Sequence, residues 1–386
     1  MKITNVSTIP LTVPVKDLRW SGGEATAVTA TLVQVLTDEG LTGLGDVYCG
    51  AFVPGVIGPL VEHFRGRLLG SDPLEIPRAW QAMYGTSLFW GRAGIAVAVM
   101  SAIENALWDI AGKAAGLPVY RLLGGLAHER LPVYASGGLD KPDEAFIAEL
   151  REYRRTGLRA VKIRIGHGVE RDRERVRLAR EVLGPEIDIM VDAVQGHNPE
   201  PWDATTAIAV AQAIEQYNIR WFEEPCAATE PDAYARVRSA TRIPVSGGES
   251  CTSMQEFRAF FDANALDIVQ PDVSHGGGIL GCRAVATLAA AHGVKLAPHS
   301  WGTGVMLAAT YHFSFATANT AVLEYPTFGH PLRDELLVKP FDIREGFMYP
   351  PDLPGLGVEL RRETIEKYPY RAGAQPVVRR TTGVAR

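Results

Sequence analysis

Cysteine is scarce and unpaired in this chain. Only Cys49, Cys226, Cys251 and Cys282 occur among 386 residues, and no two form a Cys-x-x-Cys pair. Neither a zinc ribbon nor a disulfide framework is suggested, and free buried thiols are expected. No run of lysine and arginine forms a basic stripe, and the net charge is only −5. Nucleic acid is therefore not an expected partner. The start, MKITNVSTIP, lacks the basic segment and apolar run of a signal peptide. No stretch reads as the ~20 apolar residues that span a bilayer. A cytoplasmic protein without membrane contact is the expectation. No glycine-rich nucleotide fingerprint follows a predicted strand. Gly276-Gly277-Gly278 lacks the spacing and the phosphate-loop lysine, and reads as a turn before a helix.

What is present is ordinary globular material, with 46% hydrophobic and 22% charged residues. The length exceeds what one core usually holds, and a barrel alone takes roughly 250 residues, so a second domain is expected. Residues 2–14 and 27–37 have strand character, and Asp38-Glu39-Gly40 turns into a short strand over 43–48, an antiparallel meander. Helical patterns follow at 55–69, 73–84 and 94–115, the last opening at Gly94 and stopping at Gly116-Leu117-Pro118. From Leu131 short apolar strands alternate with helices. Eight strands are predicted near 131–135, 160–165, 187–192, 219–223, 243–247, 266–270, 294–297 and 320–324, separated by seven helical stretches between Lys141 and Ala318. A parallel barrel fits this better than an open sheet. The expected domains are an α+β unit over 1–127, a barrel over 128–334, and a proline- and charge-rich segment, 335–386, that runs back to the first domain and frays over its last dozen residues.

Chemistry in a parallel barrel sits at the C-terminal ends of the strands. There the sequence places Lys162, Arg164, Asp192, Glu223, Glu249, Asp272, His299 and Glu324. Taken singly, Asp192 and Asp272 read as helix caps and Glu223-Glu224-Pro225 as a solvated turn. Three carboxylates on adjacent strands, however, converge at the barrel mouth and repel one another unless neutralised. Hard oxygen ligands call for Mg²⁺, with coordination positions left for a substrate carboxylate. His299 follows the strand next to the one presenting Asp272. Their ends can meet either as a non-catalytic hydrogen-bonded pair or as an Asp–His dyad with the imidazole as general base.

The motifs VKIRIG, VDAVQGHN, WFEEP, SGGES, QPDVSHGGG, LAPHSWGTG and VLEYPTFGHPLRDELL, in this order, resemble the mandelate racemase/muconate lactonizing enzyme group of the enolase superfamily. AIENALWDIAGKAAGLPVYRLLGG, residues 102–125, is similar to the stretch joining that family's cap to its barrel. The resemblance implies an α/β fold: a modified TIM barrel, (β/α)7β, with an N-terminal α+β capping domain. It implies one Mg²⁺ per subunit on Asp192, Glu223 and Glu249, with Glu224 as outer support. It further implies that Asp272 and His299 form the catalytic dyad, that Glu324 hydrogen-bonds the developing enolate, and that Lys162 helps neutralise the substrate carboxylate.

Two departures from the family pattern stand out. Arg164 occupies the place of a second lysine base, and a guanidinium cannot deprotonate at accessible pH, which disfavours a two-base racemase. Arg164 can still grip carboxylate or hydroxyl oxygens. Val194 stands where relatives often carry a polar substrate contact. Trp20, Tyr48, Gln195 and His275 are the candidate substrate contacts, with Phe52 and the Trp20-Ser21-Gly22-Gly23 loop covering the mouth. A single base points to loss of water from an acid sugar, giving a 2-keto-3-deoxy acid. An epimerase or cycloisomerase, and more distantly a non-catalytic metal-binding barrel, are the alternatives. The expected partners are a small carboxylate substrate and further copies of the chain in a homo-oligomer.

Overall fold

The computed structural model describes residues 1–21, 23–374 and 377–378. The chain begins with a long hairpin, β1 (Ile3–Trp20) and β2 (Gly23–Thr37), onto which β3 (Thr42–Asp46) adds antiparallel. The hairpin is longer than its sequence pattern suggests. Pro14 and a register shift between Pro14 and Leu18 break the alternation that marks a strand, yet pairing resumes to Trp20↔Gly23. Helices α1 (Pro54–Leu68), α2 (Ile76–Ser87) and α3 (Ile95–Ala115) cover this sheet. Gly43 and Gly45 let β3 lie directly on α3. A Cβ at either would collide with the carbonyl oxygens of Ala106 and Ala102.

By length and composition α3 is apolar enough to cross a membrane, which the sequence reading did not anticipate. It is instead a core helix, 89% buried over its most apolar window. It stops at Gly116 in the left-handed conformation and is followed by the short α4 (Val119–Leu122).

Eight parallel strands follow: β4 (Leu131–Ser136), β5 (Ala160–Arg164), β6 (Asp188–Asp192), β7 (Ile219–Glu223), β8 (Val245–Gly247), β9 (Ile268–Val269), β10 (Lys295–Leu296) and β11 (Leu323–Pro326). Each pairs with the next as far as β10, and β11 pairs with β4. Leu296 accepts from Ala321 N and donates to Asn319 O, which closes the ring between β10 and β11. Seven helices, α5 (Asp143–Arg155), α6 (Val169–Leu183), α7 (Ala204–Ile214), α8 (Pro231–Ala240), α9 (Met254–Asp262), α10 (Gly278–Ala291) and α11 (Gly304–Phe315), connect the strands. Tyr134, Ala160, Met190, Trp221, Ile268, Ala297 and Val322 form a buried apolar cluster drawn from the barrel strands and their edges. After Asp334 the chain pairs Phe347–Met348 antiparallel with β4. It then reaches the hairpin, where Thr12 N donates to Tyr368 O and Val377–Val378 pair with Gly23 and Glu24. The other positions expected to fray lie outside the described residues. All four cysteines are free, three buried and Cys49 half-buried.

Polar groups on α3 lock the first unit to the barrel. Asn105 donates to Val273 O at 2.9 Å, and Gly277 N donates to the Ser101 hydroxyl at 3.0 Å. Fully buried Glu104 accepts from Ile279 N at 2.8 Å, Leu280 N at 3.3 Å and the Trp108 indole at 2.6 Å. It thus caps α10 from outside and complements the dipole of that helix. Removing it strands buried N–H donors, so Glu104→Ala should cost about 3 kcal/mol. A thermal-unfolding midpoint unchanged from that of the parent would contradict this.

Candidate active site

Strand ends and the loops just after them supply every charged group at the mouth. Asp192 ends β6, Glu223 ends β7, Glu249 follows β8, Asp272 follows β9, His299 follows β10 and Glu324 lies in β11. All six are buried. Among the described residues, one ligand oxygen each from Asp192, Glu223 and Glu249 lie within 4.8 Å of one another, close enough to hold a metal ion. His197, Glu224 and Glu249 form a second set as close, but His197 is exposed and brings nitrogen in place of a hard oxygen.

Lys162 is wholly buried beneath the carboxylates. Its ammonium pairs with Glu223, lies 3.1 Å from Glu324 Oε1 and 3.5 Å from Asp192 Oδ2. Burial lowers its pKa, but Glu223 and Glu324 outweigh that and raise it, so Lys162 is a cation. Arg164 pairs with Asp192 and stacks over the Trp301 ring at 5.2 Å. The Trp221 indole donates to Glu223 Oε2 at 2.8 Å. Glu324 accepts from the Ser136 hydroxyl at 2.6 Å and from Ser300 N at 2.7 Å. Burial works against its charge, yet Lys162, His299 and Arg164 hold it well below the usual carboxylate range.

His299 Nδ1 bonds Asp272 Oδ2 at 2.8 Å, and Ser274 N donates to Asp272 Oδ1 at 2.6 Å, fixing the carboxylate. With Nδ1–H donating to Asp272, Nε2 is the free nitrogen, 3.9 Å from Glu249 Oε1. Burial, and then Glu224, push Glu249 up to about 7. Against burial, Glu249 and the Asp272 hydrogen bond lift His299 to about 10.

The turns after β6 and β7 are strained. Val194 and Glu224 have φ of 56° and 45°, left-handed values uncommon for any residue but glycine and rarest for a β-branched one such as Val194. Val194 N donates to Asp192 Oδ1 at 2.8 Å, so the turn that carries the strain also orients the carboxylate. Gly196 leaves room for the Glu224 side chain, which a Cβ there would strike.

Above the charged floor lies a cavity of about 150 Å³ between the hairpin and the barrel loops. Trp20, Tyr48 and Phe52 line it, along with Arg164, Val194 and His299. The Tyr48 ring meets His299 edge-on at 5.2 Å and His275 at 5.9 Å. Gln195 is elsewhere: its amide donates to Ala193 O and accepts from Trp202 N, and it does not line the cavity. His275 sits behind Tyr48, off the cavity wall. Lining residues that sequence reasoning left without a role include Leu18, Asp46, His197, Trp301, Phe328 and His330. His197 and Trp301 stand in the quoted motifs VDAVQGHN and LAPHSWGTG. Asp46 carries no motif at all and is seen only once β3 meets Thr303.

An N-terminal sheet-and-helix unit over a barrel with this acidic mouth is the enolase type of scaffold. Residues 3–124 match the mandelate racemase/muconate lactonizing enzyme N-terminal domain, and residues 145–364 match the enolase C-terminal domain-like family. The D-galactarolactone cycloisomerase of Agrobacterium fabrum (strain C58) is 35% identical over 349 residues, covering 87% of this chain and 90% of that protein. The D-galactonate dehydratase of Xanthomonas campestris pv. campestris (strain B100) is 33% identical over 350 residues, with the same coverage. A solved enolase superfamily member from Polaromonas sp. JS666 superimposes with a TM-score of 0.91 at 36% identity, covering 98% of this chain and 100% of that one. The chain belongs to the mandelate racemase/muconate lactonizing enzyme group of the enolase superfamily. It is an enzyme of that superfamily, whose members use Mg²⁺, and relatives in this group carry out acid-sugar chemistry.

A proton on Glu249 competes with any cation bound there. Divalent-ion affinity should therefore fall at least about tenfold per pH unit below about 7, with at least one proton released per ion bound. Calorimetric titration of Mg²⁺ in buffers of different ionisation enthalpy measures this. A pH-independent affinity over that range would remove Glu249 from the ligand set.

Proposed function

We propose that the protein is a Mg²⁺-dependent hydro-lyase that dehydrates an acid sugar, an aldonate or aldarate, to a 2-keto-3-deoxy acid in the cytoplasm. The observation that carries this reading is that, of the strand-end basic groups Lys162, Arg164 and His299, only His299 is an imidazole, and it is hydrogen-bonded to a buried carboxylate; His197 and His330 also line the cavity, but His197 faces Glu224 and His330 has no such partner. His299, held by Asp272, lines the cavity with its other nitrogen free, while Lys162 is held as a cation by Glu223 and Glu324 and Arg164 is tied to Asp192. The donor chemistry fits Mg²⁺. Three buried oxygens converge, and the six buried carboxylates Asp192, Glu223, Glu224, Glu249, Asp272 and Glu324, when ionised, outnumber Lys162, Arg164 and a protonated His299 by three charges. Bound on Asp192, Glu223 and Glu249, the ion would hold the substrate carboxylate and, by neutralising Glu249, return His299 to the neutral base form.

His299 Nε2 removes the proton from the carbon next to the carboxylate. Lys162 supports the enolate charge that develops there. Glu324 is an anion in the resting site. When a substrate carboxylate takes over the Lys162 ammonium, Glu324 loses its counter-charge, takes up a proton and donates a hydrogen bond to the enolate. The enolate electron pair then expels the β-oxygen, the C–O bond breaks, and the proton on His299 leaves with it as water. His299 ends neutral, and the enol tautomerises to the keto acid. Arg164 grips substrate oxygens without exchanging protons.

A second reading follows from the galactarolactone cycloisomerase relative. If the expelled oxygen belongs to a ring of the substrate, the same steps release no water and the product keeps the substrate's mass. Product mass spectrometry separates the two.

His299→Asn should lower dehydration by about 10² to 10⁴-fold or more and abolish α-proton exchange in D₂O, with Mg²⁺ affinity retained. Exchange at the parental rate would assign the base elsewhere, with Lys162 first to test.

A further inference from the structure

We propose that the cavity selects a monocarboxylic acid sugar whose far end is uncharged and deoxygenated, and that it rejects aldarates. This rests on the acid-sugar reading and narrows its substrate class.

Among the described residues, Arg164 is the only lysine or arginine lining the cavity, and it is engaged at the floor with Asp192. The far wall is apolar. Leu18 and Leu139 are buried in one cluster with Trp20, Val28, Trp301 and Phe328, and all six line the cavity. Apart from Arg164, His299, Asp192, Glu249 and the indoles, the polar side chains among the described lining residues are Thr29, Asp46, Tyr48, His197, Thr303 and His330. Asp46 accepts from the Thr303 hydroxyl at 2.7 Å and from Thr303 N at 3.2 Å. Burial pushes its carboxyl up to about 6, so it offers negative charge or a neutral acid. His330 has a buried Nδ1 with no partner, and burial holds it down to about 4, so it is neutral near pH 7. The Thr29 hydroxyl is 3.4 Å from that of Thr12.

A second carboxylate entering here would meet Asp46 and no unpaired cation, since His197, a further lining group that can carry positive charge, faces Glu224 at 3.5 Å, and it would be stripped of water without a counter-charge. A polyhydroxy chain would fare little better. Asp46, His330 and Tyr48 can satisfy a few hydroxyls, and any at the apolar cluster would face Leu18, Trp20 and Val28 unpaired. The volume, about 150 Å³, suits one small ring or a short chain.

The test uses the Mg²⁺-loaded His299→Asn protein, so that ligands bind without turnover. Calorimetry compares D-galactonate, 6-deoxy-D-galactonate and D-galactarate, which differ only at C6, and the corresponding three acids of the gluco series. In a series that binds, loss of the C6 hydroxyl should tighten binding about tenfold, and a C6 carboxylate should weaken it about a hundredfold. An aldarate that binds as tightly as its aldonate, or failure of all six to bind, would overturn the proposal. Val28→Arg places a cation in the far wall outside the reacting groups, and should improve galactarate binding about tenfold while weakening the 6-deoxy acid. The expected binding order without α-proton exchange by the parent enzyme in D₂O would refute the dehydratase reading and leave this assignment standing.

Discussion

Gathering Asp192, Glu223, Glu224, Glu249, Asp272 and Glu324 in one buried place is electrostatically costly, and the architecture around the mouth answers that cost. At the short separations seen here each like-charged pair is strongly unfavourable in a poorly solvated site. Lys162 comes up through the barrel interior against Glu223 and Glu324, and Arg164 comes along the same strand to Asp192. Because β5 residues alternate in direction, Lys162 and Arg164 share one face two positions apart, and both are aimed at the acids. Backbone N–H groups of Val194, Ser274 and Ser300 and the Trp221 indole supply further compensation. What remains is a negative excess held in rigid geometry, which is what a small divalent ion requires.

Rigidity has two visible sources. One is local: the left-handed turns at Val194 and Glu224 are tolerated because hydrogen bonds on either side fix them. The other is remote. Ser101, Glu104 and Asn105 on α3 bond to the backbone between Val273 and Leu280, the segment that follows Asp272. The dyad aspartate is thus steadied by a helix from the other unit. The familiar-looking stretch 102–125 therefore matters both as a linker and as the surface on which the Asp272 loop rests.

Much of the fold was legible in the sequence because it rests on periodicity and punctuation. Eight apolar strands, seven intervening helices and the Gly94 and Gly116 boundaries of α3 all register as local pattern. The ends of β1 and β2 did not, since the register shift after Pro14 erases the alternation that would mark them. The charged floor could be assembled from the rule that strand ends converge, and the structure brings those residues together. The far wall could not. Leu18 and Leu139 are apolar residues in segments without motif, Phe328 stands in a motif read only for Glu324, and what makes them a site is the cluster they form across the chain. Gln195 shows the converse. It is polar and beside a strand-end acid, yet its amide is used within its own turn.

The Asp46–Thr303 bond joins positions 257 apart in the chain. Long-range pairings of this kind form late in folding, because the intervening loop must close before the contact rewards it. On the ribosome the hairpin, and with it Leu18, Trp20 and Val28, emerges while α11 is still unmade. Those apolar side chains then have no barrel loops to cover them. The wall that defines the cavity in the finished protein is thus, during synthesis, an exposed greasy strand pair. Its β-sheet edge would be a place for a chaperone to hold, or for two nascent chains to stick.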